Sequence, residues 1–205
     1  MVEEGVNKFN KSVENDRGSW AGLGLKPAKT IYATIRKHKP ETIIETGVCN
    51  GVSTLIILLA LSKNEGGELY SIDFPMPADE SLPEFRETAY PEGHAFSAIP
   101  ADKEPGWIVP ESLGDRWELV VGKSQRELPK LIRKFDEIDM FIHDLEHSHP
   151  CMMFEYELAW EWLRSDGLLL TDDIHFNDSF SIFCNVREPK LYGKMSNSTG
   201  YAVKT

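Results

Sequence analysis

The sequence predicts an α/β protein with a doubly wound, mostly parallel sheet. Short apolar runs typical of buried strands alternate with helical patterns from residue 42 onward. The first unit reads strand, helix, strand, which implies a parallel pair with a right-handed crossover. Repeated alternation of this kind is the pattern of a doubly wound sheet. The length of 205 residues and the hydrophobic content of 41% suit one domain with its own core.

Composition and charge limit the classes of partner. The formal net charge of −11 argues against general binding to nucleic acid or anionic membranes, which requires basic patches. No apolar stretch approaches the roughly 20 residues of a membrane span, and the N-terminus has no hydrophobic signal core. The spacing of Cys49, Cys151 and Cys184 fits neither a disulfide framework nor a zinc site. We therefore expect a cytoplasmic protein with reduced thiols.

The chain is predicted to begin with a polar arm over residues 1–25, followed by a single domain over residues 26–205. Pro27 can occupy the first turn of a helix, AKTIYATIRKH, because its missing N–H has no partner there in any case. Pro40 ends this helix.

The rest of the alternation follows in order. The predicted strands are TIIETG, ELYSIDF, WELVVG, IDMFIHD, GLLLTDD and GYAVKT, and the helices are VSTLIILLALSK, SQRELPKLIRKF and PCMMFEYELAWEWLRS. Gly66 and Gly67 turn the chain after the first of these helices. Ser124 with Glu127 three residues on predicts a capping box, and Pro150 marks the start of the last of these helices. GYAVKT is expected as a final edge strand, paired with a segment near REPKLYG.

Residues 75–114 interrupt the alternation and are interpreted as an insertion, with short helices, over one edge of the sheet. The segment contains seven prolines: Pro75, Pro77, Pro83, Pro91, Pro100, Pro105 and Pro110. A structureless segment of this length is uncommon in a compact domain and is often functional. Two roles stay open for its Trp107: a cover over an apolar or sugar substrate, or a local anchor for the loop.

The motif ETGVCNG follows the first predicted strand and indicates a ligand site. Ligands of open α/β sheets bind beyond the carboxyl ends of the strands. Gly47 can adopt a left-handed backbone, and Gly51 has no side chain to block a close ligand. Asp73 ends the next strand, 26 residues after Gly47, where a carboxylate can accept hydrogen bonds from both ribose hydroxyls of a nucleoside. A tight turn without a ligand is the alternative.

The spacing and charge of this motif indicate which nucleoside cofactor the site binds. The glycines read GxxxG and not the GxGxxG of a dinucleotide fingerprint. The carboxylate of Glu45, just upstream, would repel a pyrophosphate and tolerate an ammonium and a sulfonium group. This favours S-adenosylmethionine over NAD.

Together these segments resemble a known family. IIETGVCNGVST and LYSID look like the first two cofactor motifs of the class I S-adenosylmethionine-dependent methyltransferases. The region from FIHDLEHSHP to LLLTDDI is similar to the fourth and fifth strands of the small-molecule O-methyltransferase branch, methyltransferase family 24. The resemblance covers residues 28–205 less the insertion. It implies a seven-stranded sheet whose last strand runs antiparallel, and a homodimer is common in the family.

The resemblance also implies the cofactor-binding residues. In chain order they are Glu45, Gly47, Gly51, Ser53, Asp73, Gly122, Lys123, Ser124 and Asp144. The first three would line the methionine part, Asp73 would hold the ribose, and the residues after the third strand would lie near the adenine. The family often has an acidic residue in place of Lys123, and Ser124 is equally explained as the helix cap.

Three acids at strand ends suggest a metal. Asp144, Asp172 and Asp173 should meet at one rim of the sheet, where carboxylates repel each other unless a cation joins them. Oxygen ligands suit Mg²⁺ or another hard divalent ion. Catechol-type and macrolide-sugar O-methyltransferases, which this region resembles, bind a metal at these positions that acidifies the substrate hydroxyl. The alternative is a set of solvated acids that cap turns, and the family also contains metal-free members.

A histidine offers a second route to deprotonation. His147 follows the fourth strand beside Asp144 and is predicted as the general base for a hydroxyl, and Asp144 is the second predicted catalytic residue. His143 should alternate inward as a core residue. The spacing of the histidines in HDLEHSH is not a familiar zinc pattern.

The sequence thus predicts an S-adenosylmethionine-dependent O-methyltransferase acting on a small hydroxylated molecule such as a sugar, polyketide or phenol, with or without a divalent metal. An NAD-dependent oxidoreductase on a Rossmann-like fold is one alternative, which the missing third glycine disfavours. A catalytically inactive protein that only binds the cofactor is another, because a fold does not by itself imply chemistry.

Overall fold

The structure is a computed structural model that describes residues 25–74, 99 and 103–205. The predicted arm, except for residue 25, and most of the predicted insertion lie outside the described residues. The strands are β1 (Thr42–Thr46), β2 (Glu68–Asp73), β3 (Trp117–Val121), β4 (Ile138–His143), β5 (Leu163–Thr171), β6 (Leu191–Lys194) and β7 (Gly200–Val203). The helices are α1 (Leu25–His38), α2 (Val52–Asn64), α3 (Ser124–Ile132), α4 (His149–Trp162) and α5 (Ser179–Arg187), with a 3₁₀ helix at Glu111–Arg116.

The seven strands form one sheet in the order β3-β2-β1-β4-β5-β7-β6. The first five pair in parallel, and β7 runs antiparallel to both of its neighbours. This confirms the predicted α/β fold and the pairing of the tail strand with the segment around REPKLYG. The tail strand is not at the edge, however, as β6 occupies that position. Ala202 of β7 is fully buried, whereas Leu191 and Tyr192 of β6 are mostly exposed.

Helices cover both faces of the sheet. Helices α1 and α2 pack on one face, and α3, α4 and α5 pack on the other. Alternate strand residues serve the two cores: Ile43 faces α2, and its neighbour Ile44 faces the layer of α3 and α4. The winding reverses between β1 and β4, so a crevice is expected at the carboxyl ends of these two strands.

The predicted capping box of α3 does not form. Lys123 is the N-cap and gives no side-chain hydrogen bond, while Ser124 is already the first helical residue. Ser124 is fully buried, with its Oγ 3.9 Å from Cys151 Sγ on α4. Glu127 pairs with Lys130 one turn on, at 2.8 Å. Ser124 therefore contacts α4 and does not cap α3.

No helix in the described ranges is both long and apolar enough to cross a membrane.

Candidate active site

The glycine loop between β1 and α2 is shaped by close approach of main chain on both sides. Gly47 and Gly51 have φ of 92° and 97°, and Cys49 between them has φ of 49°. A Cβ on Gly47 would lie 1.9 Å from the carbonyl oxygen of Asp144. A Cβ on Gly51 would lie 2.7 Å from the Cα of Gly106. The left-handed turn is as predicted, but main chain fills the space that the sequence argument left for a ligand at Gly51.

Asp73, at the end of β2, lies directly beside this loop. Its Oδ2 accepts hydrogen bonds from the amides of Val48, at 3.2 Å, and Cys49, at 2.6 Å. Burial raises the pKa of Asp73, while these bonds lower it. The carboxylate therefore anchors the glycine loop in this state, and its contact with a ribose stays a prediction.

Glu45 of β1 is fully enclosed. Its carboxylate accepts hydrogen bonds from the hydroxyls of Ser53, at 2.6 Å, and of Thr54 and Ser71, both at 2.8 Å. Burial raises the pKa of Glu45 to about 7 despite these three bonds. The carboxylate thus joins β1, β2 and α2, and does not present a charge to a cleft as the argument against a pyrophosphate assumed. Cofactor contacts of Glu45 and Ser53 stay predictions.

The segment after β3 also lies at the carboxyl ends of the strands, beside the end of β2. The amide of Gly122 donates to the carbonyl of Asp73 at 2.8 Å. Lys123 Nζ lies 5.7 Å from the ring centroid of Phe74, in a cation–π arrangement. Gly122 and Lys123 therefore lie beside the end of β2, whereas Ser124 is turned into the core.

The predicted acids lie at neighbouring strand ends. The amide of Asp144 donates to the carbonyl of Thr46 at 2.8 Å, and the amide of Asp172 donates to the carbonyl of His143 at 2.9 Å. Burial raises the pKa of Asp144 well above its usual value, and the charges of Asp172 and Asp173 raise it further. The ends of the neighbouring strands β4 and β5 thus bring Asp144, Asp172 and Asp173 to one acidic rim.

This rim does not fit the predicted magnesium site as it stands. Within the part of the chain that the structure describes, no three His, Cys, Asp or Glu side chains are grouped to hold one metal ion. Two of the acids have other partners in this arrangement. Oδ1 of Asp172 accepts a hydrogen bond from Thr199 at 3.0 Å, and Oδ2 of Asp173 lies 3.4 Å from Nε2 of His147.

His147 lies among these acids. Its Nε2 is 3.8 Å from Oδ1 of Asp144 and 3.4 Å from Oδ2 of Asp173, and its ring stacks on Phe176 with centroids 5.5 Å apart. Burial, together with the charge of His143, lowers the pKa of His147 to about 4. His147 is therefore neutral near pH 7, although the charges of Asp172 and Glu155 act in the opposite direction and raise its pKa.

A buried pair behind His147 was missed by the sequence reasoning. His143 and Glu155 are both fully buried, with Nδ1 2.7 Å from Oε2, and Thr46 donates to the same oxygen at 2.5 Å. Burial would raise the pKa of Glu155, but the charge and hydrogen bond of His143 lower it overall. An acid in the middle of the apolar helix PCMMFEYELAW was the signal that could have revealed this pair.

Trp107 contacts the glycine loop itself. Its Nε1 donates to Oδ1 of Asn50 at 2.7 Å, so the anchoring interpretation is the one that the geometry supports. The sequence pattern does not reveal this partner, because 57 residues separate the two side chains.

Comparison with known proteins gives a family and a fold. Residues 44–174, more than half of the chain, match the model of a methyltransferase domain. No curated protein sequence matches the chain.

Solved structures with the same fold include several O-methyltransferases. The O-methyltransferase from Bacillus cereus in complex with S-adenosylhomocysteine (SAH) superposes with a TM-score of 0.63 and 15% identity, over 99% of this chain and 90% of that one. TomG from Streptomyces achromogenes, involved in tomaymycin synthesis and bound to S-adenosylmethionine, gives 0.65 and 15%, over 98% and 90%. A putative O-methyltransferase from Klebsiella pneumoniae gives 0.64 and 12%, over 98% and 90%. At these identities the likeness shows the fold.

Proposed function

The chain belongs to the methyltransferase-domain family, and from this premise we propose that it transfers a methyl group from S-adenosylmethionine to a hydroxyl group of a small molecule. The observation that carries the proposal is the position of His147 between two carboxylates at the rim where the glycine loop meets β4. Two of the structures that share its fold were solved with S-adenosylmethionine or its product, which supports the choice of cofactor.

The proposed step is an in-line displacement. The acceptor oxygen attacks the methyl carbon, the carbon–sulfur bond breaks with its electron pair going to sulfur, and SAH leaves. Nε2 of His147 takes the hydroxyl proton and passes it to solvent. His147 can take this role because its imidazole is neutral near pH 7 and because Oδ2 of Asp173, 3.4 Å from Nε2, can offset the charge that the ring gains. A pKa of about 4 makes it a weaker base than one whose pKa is matched to neutral pH. Much of the acceleration would come from holding oxygen and carbon close and in line.

The charge of the chain supports the proposed acceptor class. A net charge of −11 disfavours nucleic acid, since such binding depends on Lys and Arg at phosphates. A small hydroxylated molecule such as a sugar, polyketide or phenol remains our proposal, and a homodimer is the oligomeric state that we expect.

Substitution of His147 tests the proposal. We expect His147→Gln to lower kcat by about 10²–10⁴-fold, the usual contribution of a general base, and to leave the SAH dissociation constant within about 2-fold, an energy change of less than about 0.5 kcal/mol. Calorimetry gives the affinity, and mass spectrometry detects methyl transfer to a panel of hydroxylated acceptors. His149→Gln, at an exposed position two residues on, is the matched control and should retain turnover.

Three further measurements separate this proposal from its alternatives. Retained turnover in excess EDTA supports the histidine route, whereas loss of turnover that Mg²⁺ restores would return the reaction to a metal bound by the acidic rim. A thermal shift with NADH but not with SAH would indicate an oxidoreductase. Binding of SAH without turnover over the whole panel would indicate a cofactor-binding protein without chemistry.

A further inference from the structure

We propose that residues 106–108 form a strap that holds the glycine loop in its cofactor-binding conformation, with Trp107 as the positioning residue. The inference rests on the proposed function, because it concerns the affinity of the loop for S-adenosylmethionine. It goes beyond that function in making a segment outside the cofactor motifs part of the cofactor site.

Hydrogen bonds join the strap to two successive loop residues. The amide of Gly106 donates to the carbonyl of Cys49 at 2.8 Å, and the amide of Ile108 donates to the carbonyl of Asn50 at 3.4 Å. Nε1 of Trp107 donates to Oδ1 of Asn50 at 2.7 Å. The strap thus binds the main chain of both loop residues and the side chain of one.

The loop needs such support because one of its residues has an unfavourable backbone. Cys49 has φ of 49°, a left-handed conformation that L-residues with a Cβ rarely adopt. Conformations of this kind persist where the surroundings over-determine them. Two contacts do so here: Asp73 accepts from the amide of Cys49 at 2.6 Å, and Gly106 donates to its carbonyl. One of them comes from the strap.

The strap is itself fixed to the core of the sheet. A Cβ on Gly106 would lie 2.2 Å from the ring of Trp117, so the indole packs directly on the strap. Nε1 of Trp117 donates to Oγ of Ser71 at 3.0 Å, and Ser71 donates to Glu45 at 2.8 Å. Ser71 lies on β2, two residues before Asp73. Both contacts of Cys49 are therefore connected to β2: Asp73 lies on this strand, and Gly106 packs on Trp117, which donates to Ser71 of the same strand.

A loop held in one conformation binds more tightly, because apparent affinity falls with the fraction of molecules that are binding-competent. Trp107→Phe removes the indole N–H and keeps an aromatic ring. We expect this variant to bind SAH about 5-fold more weakly by calorimetry, the effect of one hydrogen bond. Hydrogen exchange at the amides of Val48 and Cys49 should be faster, and Tm should stay near that of the wild type. Trp162→Phe, at the end of α4, is the matched control and should change none of these.

A double-mutant cycle identifies the contact. If Trp107 acts through Asn50, the double variant Trp107→Phe/Asn50→Ala should bind SAH no more weakly than Asn50→Ala alone. Additive losses would overturn the role of this hydrogen bond. Wild-type affinity for SAH in Trp107→Phe, or an equal loss in Trp162→Phe, would overturn the strap itself. Failure of the wild type to bind SAH would instead remove the proposed function, and unchanged amide exchange in Trp107→Phe would then remove the strap as well.

Discussion

Gly47 lies with its Cα against the main chain of Asp144, at the point where the glycine loop meets β4. Gly47→Ala would place a Cβ 1.9 Å from a carbonyl oxygen on a residue with φ of 92°. We expect a loss of about 3 kcal/mol in the free energy of unfolding, from left-handed strain and overpacking together, measured by urea denaturation. Gly66→Ala, where the added Cβ would meet no atom beyond its chain neighbours within 4 Å, should stay within about 0.5 kcal/mol of the wild type. Equal stability of the two variants would contradict this account.

Glu45 should make stability depend on pH. In the folded protein its pKa is raised from 4.5 to about 7, so between these values the folded state binds more protons than the unfolded chain. The stability that this group contributes is full below pH 4.5 and declines as pH rises to about 7. We expect the wild type to lose up to about 3 kcal/mol relative to Glu45→Gln across this window, at 1.36 kcal/mol per pKa unit.

Chemical denaturation of both proteins at several pH values measures the difference. Subtracting the variant removes the contributions of the other titrating groups, His147 among them. Glu137→Gln, at an exposed position, is the control and should give a nearly constant offset. A difference between wild type and Glu45→Gln that is independent of pH would show that the buried carboxylate is not protonated in the folded state.

At the scale of elements, helix α4 has the side-chain cap that α3 lacks. Ser148 precedes α4, and its Oγ accepts the amide of Cys151 at 3.4 Å. Ser148→Ala should cost about 1 kcal/mol of stability, the usual value of an N-cap. Ser62→Ala, at an exposed position within α2, should cost nothing or stabilise slightly, because alanine favours helices. Thermal unfolding separates the two, and an equal Tm for both variants would exclude the capping role.

The existence of most strands and helices was predictable from the sequence. The tertiary contacts of these elements and the order of the last two strands in the sheet were not. Buried parallel strands and amphipathic or buried helices follow from apolar runs and their periods, which are local properties. The cap of α3 failed because burial of Ser124 against α4 overrides a local motif. The order of β6 and β7 failed for a similar reason, since a strand's place in a sheet depends on pairing that short apolar segments do not encode.

At the scale of the whole molecule, β7 lies inside the sheet and connects β5 to the edge strand β6. It pairs antiparallel with β5 and with β6, and Lys204 just after it donates to the carbonyls of Trp160 and Leu163 at 2.6 and 2.7 Å. A chain shortened to end at Thr199 should lose its cooperative thermal transition, because β5 and β6 lose their shared partner. Circular dichroism measures this. Removal of Thr205 alone should leave the transition in place, and survival of the transition in the shorter chain would contradict the central role of β7.

The site was predictable to the extent that it lies at strand ends. The rim of Asp144, Asp172 and Asp173 and the position of His147 followed from parallel strands ending at one edge. Contacts between distant segments did not, such as the strap on the glycine loop and the pair of His143 with Glu155. They depend on side-chain directions across the fold, which the sequence pattern does not contain.

The position of β7 also has a consequence for biosynthesis. During translation β5 and β6 leave the ribosome before the strand that must lie between them, so the open edge of β5 stays unsatisfied until Val203 has cleared the exit tunnel. An exposed edge of this kind is a template for pairing with other nascent chains. The protein therefore completes its fold after synthesis of this strand, and chaperone protection of the nascent chain would matter most in that interval.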